Sequence, residues 1–451
     1  MAVWSIVKFS ELTTDQKLGA DYYHIDKLNV FKRLNETGKY TINKIAKEKK
    51  YIAFPRDWKE KIKVYDLTDA IGGFLKGGEF SDSENCPQSA KKIANNGDFI
   101  ISRLRSYLKE MAYIGENTGT ILLSTEFIVL TKKGNESIAW LLPFFISEPI
   151  QKILKWSQEG SEHPRFSENI IFNLPIPRTI YNNRKLFIDI VENANKKFES
   201  SLSLLSTAES LLLSELGLDK LELPKTKWNI RNYSETEEVE RMDGEYFLPK
   251  YYALLEQIKK FRTLKLGEIV SYKKGIEVGS NEYIEKGIPF YRVSDLSKEE
   301  IGGTDTKYIS EELYEKLKNN YEPQQGEILF TKDATPGIAF YLSEKIKGIV
   351  SSGILRLKLK ENVEPNYLSI LLNSIAIEMQ IKREGGGSII NHLRPKSAMN
   401  LIIPILDKKI QQEISDKVRE SHSARKEAKK LLEEAKHKVE EMILEDDEKT
   451  V

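Results

Sequence analysis

The sequence predicts an α+β protein in which two repeated globular modules are separated by two long helices that form an antiparallel coiled coil. Three observations predict it. Matching segments recur in the same order in both halves of the 451 residues. Short apolar runs with strand character lie inside each half. Each half then closes on a long stretch poor in Gly and Pro, with apolar residues at heptad spacing.

Self-similarity sets the frame. Gly160-Ser161 through Leu174-Pro175-Ile176-Pro177 corresponds to Gly387-Ser388 through Leu401-Ile402-Ile403-Pro404, at an offset of 227. Ser124 and Ser351 keep that offset, each leading into an apolar run (Phe127–Leu130, Ile354–Leu357). So do Trp140 and Tyr367, which open the amphipathic segments Trp140–Leu154 and Tyr367–Ile381. Upstream the register drifts, as loops of unequal length require: Gly97–Ser102 matches Gly326–Thr331, and Gly19–Tyr23 matches Asp243–Phe247. Between these segments the halves diverge, and Gly72–Gly78 has no twin. A kept scaffold with changed loops is what a duplicated binding module with two targets would show.

The stretches Arg184–Leu216 and Lys409–Leu444 carry the seam. Phe187, Val191, Ala194, Phe198, Ser201, Leu205, Ala208 and Leu212 alternate steps of four and three. Adding the offset gives Ile414, Val418, Ser421, Arg425, Ala428, Leu432, Ala435 and Val439. One seam row is small in both helices (Ala194, Ser201, Ala208; Ser421, Ala428, Ala435), which lets two backbones approach closely. The two helices are therefore expected to pack on each other, in place of lying separately on their own domains. Arg425 breaks the pattern unless its stem follows the seam and its head reaches solvent. The expected divisions are residues 1–179 for the first domain, 180–217 for the first long helix, 218–243 for a linker, 244–406 for the second domain and 407–446 for the second helix.

Composition bounds the chemistry. With 69 basic and 68 acidic residues the net charge is +1, so any nucleic-acid affinity must come from local basic clusters. The single Cys86 excludes an internal disulfide and a Cys-rich zinc site, and five scattered His lack an H-E-x-x-H spacing. No apolar run reaches eighteen residues, and Met1–Lys8 is too short for a signal-peptide core, so no membrane partner and a cytoplasmic location are expected. A Walker loop, a G-x-S-x-G elbow and an Asn-Pro-Pro-aromatic signature are all missing. Gly385–Ser388 lacks the strand-then-helix context of a phosphate loop, and Asp98 and Glu327 read as turn acids. No catalytic residue, cofactor or metal is expected on this chain.

Basic residues gather beside the repeated scaffold. The first half offers Lys76 among glycines, Arg103, Arg105 and Lys109 after the Gly97 strand, and His163 and Arg165 after the Gly-Ser loop. The second offers Lys273 and Lys274, then Thr331, Lys332 and Thr335, then Asn391, His392 and Arg394. Arg pairs bidentately with guanine, Asn with adenine, and Lys, Ser or Thr hold phosphate. Each alone is an ordinary surface charge; their recurrence at corresponding places marks them as DNA-contact candidates.

With these segments in view the chain resembles the specificity subunits of type I restriction–modification systems over nearly its whole length. Asp21-Tyr22-Tyr23 and Glu245-Tyr246-Phe247, Gly97–Arg103, Pro289–Leu296 and the step Leu174–Pro177 into a helix carry the likeness. The resemblance implies two target-recognition domains, each reading a short half-site of double-stranded DNA, and helices that bind two methyltransferase subunits. It implies that S-adenosylmethionine, ATP and Mg act on those methyltransferase subunits and on restriction/translocase subunits. One departure is plain: Gln411-Gln412 opens the second helix, whereas Ile180–Asn183 before the first has no glutamine. The specificity chain of a related split methyltransferase–nuclease system and a protein-only scaffold are the alternatives.

Overall fold

The computed structural model describes residues 5–7, 19–57, 62–81, 88–116, 118–303, 305–385 and 392–445. Cys86, Gly386–Ser388 and Asn391 lie outside the described residues. The chain forms two compact units, Met1–Glu199 with Ala424–Val451, and Ser200–Ser423. Among the described residues no helix is long and apolar enough to cross a membrane.

In the first unit, Phe99–Ser102 and Phe127–Lys132 pair antiparallel at the centre of a four-stranded sheet, flanked by Met111–Tyr113 and Ala46–Glu48. Phe99 to Ile101 and Phe127 to Leu130 are buried on both faces, which is why they read as continuous apolar runs. A second sheet runs Ile52–Ala53, Lys91–Ala94, Ile121–Leu123, Ile62–Tyr65, Glu79–Ser81, with Ile62–Tyr65 and Ile121–Leu123 parallel.

The second unit has the same four-strand order, Val270–Lys274, Ile354–Leu359, Glu327–Thr331, Ala339–Tyr341. Its smaller sheet keeps a parallel pair, Ile288–Tyr291 with Ile349–Val350, beside Lys307–Ile309. The outer strands therefore differ where the sequences diverge. The turns agree atom for atom. Asn95 N donates to Asp98 Oδ2, and Gln324 N to Glu327 Oε2, both at 2.9 Å. Asp66 N donates to Asp69 Oδ2, and Arg292 N to Asp295 Oδ2, both at 2.8 Å. The turn acids also hold cations: Lys49 reaches Asp98 at 3.1 Å, and Arg356 grips Glu327 at 2.8 and 3.0 Å.

The segment expected as one amphipathic run, Trp140–Leu154, is two helices, Leu141–Ile146 and Glu148–Lys155. Pro149 has no N–H to continue the ladder, and the Gln151 amide donates to the Phe145 carbonyl in its place, at 2.6 Å. Its counterpart also breaks, into Pro365–Leu372 and Ile375–Gly385, where the Asn373 amide donates to Ser369 O at 2.9 Å.

The long helices are Arg184–Glu215 and Lys408–Glu445, 32 and 38 residues, or about 48 and 57 Å at 1.5 Å per residue. Residues 184–199 and 424–445 belong to the first unit, 200–215 and 408–423 to the second. All sixteen seam positions are buried. In the second unit Leu205, Ala208 and Leu212 share a core with Ile414 and Val418, and Ser421 Oγ donates to Ser201 O at 2.6 Å. In the first, Lys197 pairs with Glu427, and the Gly-rich loop docks on the seam: Phe74 stacks on Phe198 at 4.5 Å. A Cβ on Gly73 would lie 2.4 Å from Leu432, so this divergent loop is also a structural anchor.

Arg425 corrects the sequence expectation. Its head does not reach solvent; it is 4% exposed, 4.9 Å over the Phe198 ring, and Nε and Nη2 lack hydrogen-bond partners among the described residues. The aromatic face compensates the buried guanidinium in part.

The helix starts explain the missing glutamine. Gln411 accepts from Glu364 N at 3.1 Å and donates to Leu406 O at 2.8 Å, tying the second helix to the preceding strand and to the Pro365 helix. At the corresponding position Arg184 holds Glu136 at 2.7 Å and Tyr181 O at 2.8 Å. A different side chain makes the same kind of tie. At the other end of the first helix, Gly217 adopts φ of 64° and Leu218 N reaches back to Leu213 O at 2.8 Å, a left-handed cap that stops it.

The small seam row gives a test. Ala208→Leu adds volume at a fully buried site in the core of the second unit. It should cost about 1–3 kcal/mol by overpacking. Wild-type hydrogen-exchange protection of the amides around Ala208 would show that the helices do not meet closely there.

Candidate nucleic-acid interface

The strand ends place the candidates. At one end of the first unit's four-stranded sheet three segments are tied by backbone bonds. Arg103 N donates to Glu126 O, Phe166 N to Arg103 O, and Arg105 N to Pro164 O, each at 3.2 Å. Arg103 and Arg165 thus stand side by side. Between them lies Glu126, which sequence reasoning missed. Its carboxylate takes Arg165 through Nη2 at 2.8 Å and Nε at 3.0 Å, and Arg103 Nε at 3.1 Å. The Arg165 hydrogen bonds, with those of Arg103, hold Glu126 below the usual carboxylate range although burial opposes this.

Glu168 extends the network, lying 3.7 Å from Arg103 and 3.8 Å from Lys50. Lys50 also pairs with Glu48 at 3.1 Å, and that hydrogen bond raises its amine above the ordinary lysine value. Lys50 was a second omission. A signal for it exists, because Lys49-Lys50 precedes Lys273-Lys274 by 224 positions, each pair following an apolar step (Ile45-Ala46, Ile269-Val270).

The second unit builds the same frame. Lys332 N donates to Gly353 O at 2.8 Å, Leu393 N donates to Lys332 O at 2.7 Å, and Asp333 bridges to His392. Positions 103, 126 and 165 thus correspond to 332, 353 and 392. Here the basic side chains are Lys332 and His392, and both pair with Asp333, Lys332 at 2.5 Å. Lys273 and Lys274 are exposed on the edge strand, with Lys274 opposite Leu355, which itself faces Phe330. Lys274 therefore lies at the same sheet end as Lys332.

Several candidates fall elsewhere. Thr331 is fully buried: its hydroxyl donates to Thr335 O at 2.6 Å and accepts from Ile338 N at 2.9 Å, so it shapes a turn and is closed to phosphate. Lys332, 8% exposed, offers little more than its paired amine. Lys76 is not the counterpart of Lys273 and Lys274. Its N–H donates to Asp69 O at 2.8 Å as that of Gly302 does to Asp295 O at 2.7 Å, which fixes the correspondence to Gly302. Lys109 turns away from the arginines. It is half-buried near Lys436, Glu433, Glu440 and Glu148, and burial followed by Lys436 lowers its pKa.

Arg105 and Lys109 adopt φ of 46° and 52°, a left-handed conformation that costs a non-glycine residue about 1–2 kcal/mol. They bracket a turn that presents Tyr107, 59% exposed. His163, Thr335, His392 and Arg394 are exposed, and His163 O accepts from Arg165 Nη1 at 3.1 Å. Among the described residues no group of three His, Cys, Asp or Glu is disposed to hold a metal ion.

Residues 258–434 match the family model described as the Type I restriction modification DNA specificity domain. Over those residues the match upholds the resemblance drawn from the sequence. No curated protein matches the chain. Among solved structures, the HsdS subunit from Thermoanaerobacter tengcongensis is 18% identical, covering 91% of this chain and 94% of that one, at a TM-score of 0.28. The type I restriction–modification S subunit from M. genitalium is 14% identical over 90% and 94%, with a TM-score of 0.40. A chain from a structure on complex assembly and conformational transition of the type I R-M system is 17% identical over 91% and 95%, with a TM-score of 0.29. Superpositions this loose leave the fold to stand on the chain's own topology.

Proposed function

We propose that this chain, which matches a type I restriction modification DNA specificity domain over residues 258–434, is the non-catalytic subunit that recognises an asymmetric, bipartite DNA site and brings methyltransferase and restriction subunits to it. Each unit reads one half-site. The observation that carries the reading is the shared backbone frame, with basic side chains at positions 103 and 165 in one unit and 332 and 392 in the other. The side chains differ between frames, so the half-sites differ. Lys and Arg contacts to phosphate supply affinity, and a few side chains read base edges.

The helix pair is the spacer. Lys197 with Glu427 and Phe198 with Arg425 in one unit, and Ser201 with Ser421 in the other, descend along the second helix as they ascend the first, which supports an antiparallel coiled coil. Helices of about 48 Å exceed the 34–36 Å between half-sites one DNA turn apart. Methylation with S-adenosylmethionine and ATP- and Mg-dependent cleavage belong to two methyltransferase subunits and to restriction/translocase subunits, all in the cytoplasm.

The test is binding of the assembled complex to duplex DNA across a salt series. Arg103→Glu with Arg165→Glu should weaken site binding by at least about tenfold, given about 1–3 kcal/mol for each base-reading pair. Unchanged affinity and salt slope would remove these residues from the interface. A wild-type complex that retains no DNA at any salt would favour the protein-only scaffold.

A further inference from the structure

The two units pair their basic side chains with acids drawn from different places. In the first, Glu126 lies across the sheet from Arg103, in the turn before Phe127, and binds Arg103 and Arg165. In the second, that frame position is Gly353, and the acid is Asp333, the neighbour of Lys332 in sequence, which binds Lys332 and His392. The frame does not dictate either carboxylate, yet each unit has one between the same two basic positions. A backbone role would have kept one position. What is common to both is a carboxylate placed between the basic side chains.

We infer that Glu126 and Asp333 are specificity-determining residues that hold the paired basic side chains away from the DNA backbone, so that the correct base edges, and not phosphate alone, release them. This inference rests on the DNA-recognition reading above. Lys50, Arg103 and Arg165 face Glu48, Glu126 and Glu168, and Lys92 stands 3.5 Å from Glu48 on its other side, so most of the first cluster's positive charge is offset as built. A phosphate approaching it meets a carboxylate with both oxygens already committed to guanidinium. Arg165 spends Nε and Nη2 on Glu126 and an Nη1 hydrogen on His163 O, and Arg103 spends Nε on Glu126. Both arginines are thus oriented before DNA arrives, and their remaining N–H groups define the direction in which a guanine edge would be met. Sequence-independent attraction scales with the number of cations free to neutralise phosphate, so pairing them with acids lowers it selectively.

The experiment uses the assembled complex with Glu126→Gln and Asp333→Asn, each measured on site DNA and on random duplex from about 50 to 200 mM salt. Each substitution keeps size and a hydrogen-bonding oxygen while removing the charge. Random-duplex binding should strengthen severalfold at low salt, with the log–log salt slope steeper by about 0.9 for each phosphate newly neutralised. The ratio of site to random affinity should fall.

A wild type that discriminates between sequences, with both variants matching it in slope and ratio, would overturn this inference and leave the recognition reading standing. A wild type without sequence preference would overturn the recognition reading itself. Loss of all DNA binding by Glu126→Gln, with its melting curve unchanged, would also overturn the inference, since the carboxylate would then be needed for binding. Should Glu126→Gln lower the melting temperature, Asp333→Asn decides from the other unit.

Discussion

Arg356→Ala should destabilise the unit Ser200–Ser423 by about 3–5 kcal/mol, the usual cost of stripping one partner from a buried ion pair. Arg356 sits in a central strand with its side chain 3% exposed, against Glu327 at 8%. The guanidinium makes two parallel bonds to the carboxylate, at 2.8 and 3.0 Å, and Nη1 donates to Asn320 O at 2.8 Å. Removing it leaves Glu327 with the Gln324 N–H as its remaining donor, in a place water does not reach freely. The carboxylate must then stay charged without a counter-ion or take up a proton. Either route costs more than an exposed pair, which contributes about 0–1 kcal/mol.

Because the chain has two units, one global midpoint is a poor measure, and hydrogen exchange in Glu327–Thr331 reports the loss locally. Replacing both residues by apolar side chains of similar volume should recover most of the stability. An Arg356→Ala protein whose strand amides exchange like wild type would refute the burial argument. The pair Lys49–Asp98 in the other unit is wetter on the lysine side, at 16% exposure, so Lys49→Ala should cost less.

The contrast between these two pairs shows what was legible in the sequence. Asp98 and Glu327 were readable as turn acids, because a turn is local and its spacing survives in the chain. Their cations were not, because Lys49 and Arg356 lie 49 and 29 positions away on different strands. The same division runs through the molecule. Heptad steps marked sixteen positions that are all buried, since periodicity and burial are two views of one helix face. Arg425 defeated the reading because a guanidinium above Phe198 depends on how two helices meet.

At the candidate interface, Arg103 and Arg165 were visible as basic residues beside repeated strands. Glu126, which pairs with both, was not, nor was Asp333, which pairs with Lys332 and His392 in the other unit, since the two acids come from different positions of the frame. Matching Lys76 to Lys273 failed for a related reason. Composition suggested the match, while the backbone bonds of Asp69 and Asp295 place Lys76 against Gly302. Arg184, where a glutamine was missed, makes the same point: the tie at a helix start was preserved while its chemistry changed.

Under the proposed function, removing one heptad from each long helix should shorten the preferred spacer of the DNA site by about three base pairs. Seven residues at 1.5 Å shorten a helix by about 10.5 Å, and a DNA turn of 10–10.5 base pairs spans about 34–36 Å. Ser201–Thr207 and Ser415–Ser421 are the segments to delete, because the Ser421 hydroxyl bond to Ser201 O marks their common edge. A deletion of seven keeps the four-and-three alternation, so Ala194 and Ala208 remain on the seam, as do Ile414 and Arg425. A deletion of three or four would rotate one face of each helix by a different amount and should damage folding instead. Shortening one helix alone should do the same, because the seam could no longer close along its length.

The readout is the set of methylated motifs in DNA from cells carrying the altered chain with its partner subunits. Both half-sites should keep their bases, since neither frame is touched, while the distance between them contracts. An unchanged spacer in a folded, active complex would mean that something other than the helix pair sets the separation. Changed half-site bases with an unchanged spacer would place the reading heads on the helices themselves, against the frames at Arg103 and Lys332.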